Sequence, residues 1–228
     1  MDVIIDLAFL QGEKNAVRWP HPVSMQVTRG AAHVIRTKSA LSAPLFRLCL
    51  GFSEPVSGTV IVQGKEPWTL GRSEIRDMRR TIGSCLEPDG LVANLTLRMN
   101  LIVPLVFASG LEFDDALVRA DQMLDVTHLT MWADVRPASL PAEVRQTGTL
   151  ARALCLRPSL LLLENPLASV DNRETRRLMS LCRMQVETLL IATHRNDGIL
   201  HEFGDEVWEW DDDGFRAARA TGAGGAAA

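Results

Sequence analysis

Apolar residues fall into short runs separated by charge and turn formers. The spacing predicts strands over 3–10, 24–27, 33–36 and 58–62, with Gly64 ending the last of these. Two further runs, 160–163 and 188–192, are apolar at almost every position. Such runs suit strands buried on both faces of a parallel sheet. Between them, 172–186 has helical spacing, with Leu178, Leu181 and Cys182 on one side and arginines on the other. Asp171 or Asn172 would cap it. Strand, helix, strand in this order implies a parallel crossover, right-handed by the usual rule.

The pattern changes over 96–137, where helical periodicity replaces strand signal. Pro88 and Gly90 open that stretch and Pro137 closes it, so it reads as a small helical insertion. Near the end, 206–210 predicts a strand that turns back through Asp213 and Gly214. The expected organisation is a core formed by 1–87 and 138–217, a helical subdomain over 88–137, and a disordered tail over 218–228.

Composition narrows the function. The 228 residues carry a net charge of −4, which disfavours a nucleic-acid binder that works by neutralising phosphates. Arg76, Arg79 and Arg80 read as a solvated helix face. Cys49, Cys85, Cys155 and Cys182 have no metal-ligand spacing and read as buried thiols in a reducing compartment. The start, MDVIIDLAFL, lacks the basic region and cleavage site of a signal peptide. The most apolar stretch, 95–111, contains Arg98, Asn100 and Pro104 and falls short of the roughly 20 apolar residues that span a bilayer. No direct membrane insertion is therefore expected.

The segment 149–171, TLARALCLRPSLLLLENPLASVD, resembles the core of ABC-transporter ATPase domains. In that family an Ala-Arg-Ala-Leu helix leads through an Arg-Pro turn to an apolar strand, an acidic pair, a proline and a turn ending in Asp. The resemblance extends to Gly51 and GTVIVQG at 58–64, RRTIG at 79–83, GLVANLTLRMNLIVPL from Gly90, and IATHR at 191–195. It implies an α/β fold, a P-loop NTPase-like core with a mixed sheet and an inserted helical subdomain. The Gly90 segment looks most like importers and MCE-type lipid-trafficking systems with separate ATPase subunits.

The resemblance also says where phosphoryl-transfer chemistry should sit, and there the residues depart from it. By register, the phosphate loop runs from Arg36 to Pro44 and contains Lys38. Ser39, Leu41 and Arg36 stand at the glycine positions, Ser42 replaces the lysine, Ala43 replaces the magnesium-binding hydroxyl, and Pro44 follows. Side chains at glycine positions would crowd amides that should approach a phosphate. The family's glutamine aligns with Glu87, a carboxylate that would repel a triphosphate. The signature loop is Leu140, Pro141, Ala142, Glu143 and Val144 in place of Leu-Ser-Gly-Gly-Gln. The acidic pair is Glu164 and Asn165, and a carboxamide cannot act as the general base. The adenine-stacking aromatic aligns with Gln11, with Phe9 and Trp19 nearby. Asp171 and the switch histidine, His194, remain; a helix cap and a structural histidine are the plain readings of both.

These replacements imply a non-hydrolysing ATPase-like subunit. It would pair with itself or with an intact ABC ATPase, dock on a membrane permease, and lie at the cytoplasmic face of the inner membrane. No cofactor is expected, with ATP and magnesium only if the altered site still binds them. Two alternatives stay open. One is a divergent, active ATPase using Glu164, His194 and Lys38. The other is an ABC-fold scaffold or regulator unconnected with transport.

Overall fold

The structure is a computed structural model, and it describes residues 2–14, 18–37, 42–86, 90–195 and 198–218. At its centre is a six-stranded sheet. In chain order its strands are β3 (Ala32–Thr37), β5 (Ile82–Cys85), β6 (Leu160–Glu164), β7 (Thr188–Thr193), β8 (Glu206–Asp211) and β9 (Gly214–Ala217). Their spatial order is β5-β6-β7-β3-β8-β9, parallel throughout except for the closing β8–β9 hairpin. A second, antiparallel sheet has the order β2-β1-β4, from β1 (Val3–Gly12), β2 (Arg18–Thr28) and β4 (Thr59–Val62). The helices are α1 (Ser42–Cys49), α2 (Arg72–Arg80), α3 (Leu97–Ser109), α4 (Phe113–Val126), α5 (Ala142–Cys155) and α6 (Asn172–Gln185).

Strand alternation divides the core in two. Leu160 and Leu162 of β6 and Leu190 and Ala192 of β7 join a cluster with α1 and the antiparallel sheet. Leu161, Leu163, Leu189 and Ile191 face the other way, against α5 and α6. Side chains on a strand alternate between faces, so a strand apolar at every position must be covered twice. That is why 160–163 and 188–192 read as solid runs. The crossover helix α6 does lie between the adjacent parallel strands β6 and β7. A third cluster joins α3 and α4 to Ala151 and Cys155 of α5.

The sequence spacing undersized β2, which extends to Arg18 through Pro20 and Pro22. Proline removes a ladder donor and is tolerated at a sheet edge, which is where β2 lies. Gly58, at φ 84°, turns the chain into β4; a Cβ there would collide with the carbonyls of Ala8 and Phe9. The expected tail, 218–228, lies outside the described residues beyond Ala218. Among the described residues no helix is long and apolar enough to cross a membrane.

Two polar devices fix the helical region. Arg98 of α3 pairs with Asp121 of α4 and with Asp134, the latter at 3.1 Å. Asn100, 1% exposed, accepts from the Val92 amide at 2.6 Å and donates to the carbonyls of Val92, Leu95 and Thr96. The turn before α3 is thereby stapled to the helix it precedes. All four cysteines are buried and none forms a disulfide, and burial pushes the thiol pKa of Cys49 up to about 12 and that of Cys155 up to about 11.

His33 of β3 is fully buried, with Nδ1 3.5 Å from a Glu206 carboxylate oxygen. Burial lowers its pKa from 6.5, outweighing the opposing pull of Glu206 and Asp205. The folded state therefore resists a proton that the unfolded chain accepts, so stability falls as pH drops below about 6.5. The urea midpoint is expected to fall from pH 7.5 to 5.5, and His33→Asn to flatten part of that fall. Leu162→Ala, which empties a buried site on β6, is expected to cost roughly 2–5 kcal/mol in urea unfolding. Met184→Ala on the exposed face of α6 should change stability by less than about 0.5 kcal/mol.

Candidate functional site

Among the described residues singled out above, Arg36, Glu164, Asn165 and His194 lie at or just past the C-terminal ends of parallel strands, and Ser42 and Asp171 lie at the starts of helices α1 and α6. In open α/β sheets this is where ligands bind. Ser42 opens α1, directly after the stretch that follows β3. Its buried hydroxyl donates to Glu164 Oε1 at 3.0 Å, across 122 residues of sequence. Glu164 ends β6 and is itself buried. Asn165 follows, also buried, and its amide donates to the Ala192 carbonyl of β7 at 2.7 Å. Asn165 and Leu167 take positive φ values of 41° and 58°. Left-handed backbone is tolerated by asparagine but costly for leucine, and it clusters where a turn is over-determined by its surroundings. A small cavity of 30 Å³, with room for a water, is lined by Glu164, Asn165, Gln146 and Thr149.

Ala43 and Pro44 lie in the first turn of α1, where Pro44 contributes no N–H. Arg36, near the end of β3, is ion-paired with Glu209 of β8. Lys38, Ser39, Leu41 and Glu87 lie outside the described residues.

The segment 140–144 starts α5. Leu140 is buried, Pro141 is the cap residue without a side-chain hydrogen bond, and Glu143 falls in the first turn with Ala142 and Val144. An acid there complements the positive end of the helix dipole. Glu143 and Val144 share a hollow of 330 Å³ with Ser169 and Asp171. Asp171 caps α6, accepting from the amides of Arg173 at 2.9 Å and Glu174 at 3.0 Å. His194 is exposed just past β7. The structure therefore joins Ser42 to Glu164 and Asn165, and Glu143 to Asp171. It places Arg36 and His194 in neither group.

Trp19 is not available to stack on a base. It is 3% exposed and packs edge-on against Trp210, with ring centroids 4.7 Å apart. That corrects its reading as a stacking candidate: a long β2 carries it into the core. Phe9 is 73% exposed, at a β1 irregularity where its φ is 52°. Gln11 is part of β1, its amide bonded to the Ser57 carbonyl.

Two residues missed by sequence reasoning tie these segments together. Gln146 of α5 accepts from the Ser169 amide at 2.8 Å. Arg195 donates to the Leu167 carbonyl at 2.7 Å and to Asn172 at 3.1 Å. Gln146 sits two residues past the segment 140–144 on the same helix, which is a usable signal. Arg195 beside His194 gives none.

The family profile described as ABC transporter matches residues 22–168, well over half of the chain. The chain belongs to the ABC transporter family. It is 30% identical over 190 residues to the methionine import ATP-binding protein MetN of Mesorhizobium japonicum, covering 81% of this chain and 52% of the relative. It is 34% identical over 146 residues to the arginine transport ATP-binding protein ArtP of Escherichia coli K12, covering 61% and 60%. The chain thus spans about half the length of its methionine-import relatives. Among solved structures, a dimeric ATP-binding cassette in a post-hydrolysis state with ADP and Pi superposes with a TM-score of 0.85. Identity is 20%, and 96% of this chain and 99% of that one are covered. A subunit of an ABC transporter complex from Clostridium perfringens superposes at 0.77 with 21% identity, covering 96% and 88%. At these identities the structural likeness speaks for the fold, an ABC ATPase α/β core with its helical region.

Removing the Ser42 hydroxyl leaves a buried carboxylate short of a donor. Ser42→Ala is expected to lower stability by about 1–3 kcal/mol in urea unfolding. A change smaller than about 0.5 kcal/mol would show that the Ser42–Glu164 bond carries no weight in solution.

Proposed function

We propose that this chain is a non-hydrolysing ABC-family subunit that serves a membrane transport complex as a docking partner of its permease. The observation that carries this reading is the buried hydrogen bond from Ser42 to Glu164. By the family register, Ser42 stands where the phosphate-binding lysine belongs and Glu164 where a magnesium-holding carboxylate belongs. In this chain the two positions satisfy each other.

The donor set does not fit magnesium ATP. Ala43 offers a methyl group where a hydroxyl should reach the metal, and Pro44 offers no amide in the first turn of α1. Asn165 cannot take a proton from an attacking water. Pro141, Ala142 and Glu143 supply neither the hydroxyl nor the flexible glycines that would close on a partner's nucleotide. A charge-assisted hydrogen bond contributes about 1.5–3 kcal/mol, and about 1.4 kcal/mol is tenfold in affinity. Losing several such contacts together lowers nucleotide affinity by orders of magnitude. With both half-sites altered, pairing with itself or with an intact paralogue leaves no complete site.

The docking surface proposed is a groove of 390 Å³ between the core and the helical region, walled by Arg76, Arg80, Val92, Val103, Pro104 and Phe107. Phe107 is 78% exposed there. An apolar floor edged by arginines suits an amphipathic cytoplasmic helix carrying acidic residues. The names of the methionine-import relatives support a complex of the import type; a lipid cargo rests on the sequence of 90–105 alone.

Calorimetry with millimolar magnesium ATP should show no saturable binding, and phosphate release should stay at the blank rate, including in Ser42→Lys. Tight magnesium-dependent binding would instead support a divergent active ATPase. Detergent extraction should recover a multi-span protein with the tagged chain, and Phe107→Asp should reduce that recovery severalfold. Recovery of no multi-span protein would favour a scaffold unconnected with transport.

A further inference from the structure

Away from the sites above, one cavity collects cations without acids. It has a volume of 400 Å³ and lies where α4, the C-terminal end of α5 and the last residue of α6 meet. Its polar lining is Arg119, Gln122, Arg157 and Gln185; Met123 and Val126 contribute apolar wall, and no Asp or Glu lines it. Arg119 Nη2 is buried without a hydrogen-bond partner. Among the described residues neither guanidinium has an ion pair, whereas Arg176 and Arg177 on neighbouring α6 are both matched to glutamates.

A buried donor without an acceptor is costly, and a charged one more so. Two facing cations add repulsion. Burial, and then Arg157, hold Arg119 below the usual arginine range. One negatively charged occupant would relieve both the unpaired donor and the repulsion. Guanidinium groups bind oxyanions in a bidentate fork, and the two carboxamides add donors at the rim. A phosphate monoester near pH 7 carries close to two negative charges and three acceptor oxygens, which matches two arginines better than a single carboxylate does. The apolar wall gives the ester group a surface.

We propose that this cavity binds a small phosphate monoester with a short apolar segment, its phosphate held between Arg119 and Arg157. The site is separate from the nucleotide positions and does not rest on the reading of them.

Calorimetry of the full chain with hexyl phosphate, inorganic phosphate and hexanol tests this. The expected result is saturable binding of hexyl phosphate, weaker binding of inorganic phosphate, none of hexanol, and loss of affinity with added salt. Arg119→Met and Arg157→Asn should each weaken hexyl phosphate roughly tenfold or more. Asparagine tolerates the positive φ of 52° at position 157. Circular dichroism checks both folds, and Gln185→Leu, at an exposed helix end, replaces Arg119→Met if that variant does not fold. Arg176→Gln, which removes a cation already paired elsewhere, should leave binding unchanged. Three results would each overturn the proposal: no saturable binding of hexyl phosphate; binding undiminished in either cavity variant; or inorganic phosphate bound as tightly as the ester, which marks an adventitious ion only.

Discussion

Two-sided burial of the central parallel strands is the constraint from which the architecture follows. β6 and β7 present leucine, isoleucine and alanine to both faces, and none of these positions tolerates water. One face is closed by α1 and the antiparallel sheet, the other by α5 and α6. Each strand therefore delivers its C-terminal residues to the same rim, at a point fixed from above and below. Glu164, Asn165 and the start of α1 meet there because the hydrophobic layers leave them nowhere else to go.

On the proposed reading, that rim shows how a fold can outlast the chemistry it once positioned. The apolar residues of the family pattern are in place, as are the turn at Pro166 and the cap at Asp171. Packing and capping contribute to folding whether or not a nucleotide binds. Groups that would contribute only with a ligand present have no such support. Ser42 and Glu164 illustrate the outcome: both are buried polar groups, and the bond between them answers the demand for satisfaction from within the chain.

Much of this fold was legible in sequence because its strongest signals are physical. The solid runs at 160–163 and 188–192 read as doubly covered strands, and the arginine-backed stripe of α6 reads as a surface helix, as the structure has them. Where legibility failed, long-range pairing decided. β2 runs through two prolines because it is an edge strand, and edge status is a property of the assembled sheet. The buried ring of Trp19 depends on that extension. The contact of Ser42 with Glu164 joins residues whose local sequence carries no mark of the pairing. The resemblance located the altered positions; only the three-dimensional arrangement says which of them touch.

The staple at Asn100 has an implication for anything that settles beside α3. One side chain ties down the preceding turn, its oxygen accepting from the Val92 amide and its two N–H hydrogens shared among three carbonyls, so the wall formed by Val92 and its neighbours is set before an encounter. An incoming segment would meet a preorganised face and would not have to immobilise it, which spares the complex part of the entropy loss that association ordinarily carries. Differences in affinity among alternative partners would then reside mainly in how slowly each one leaves.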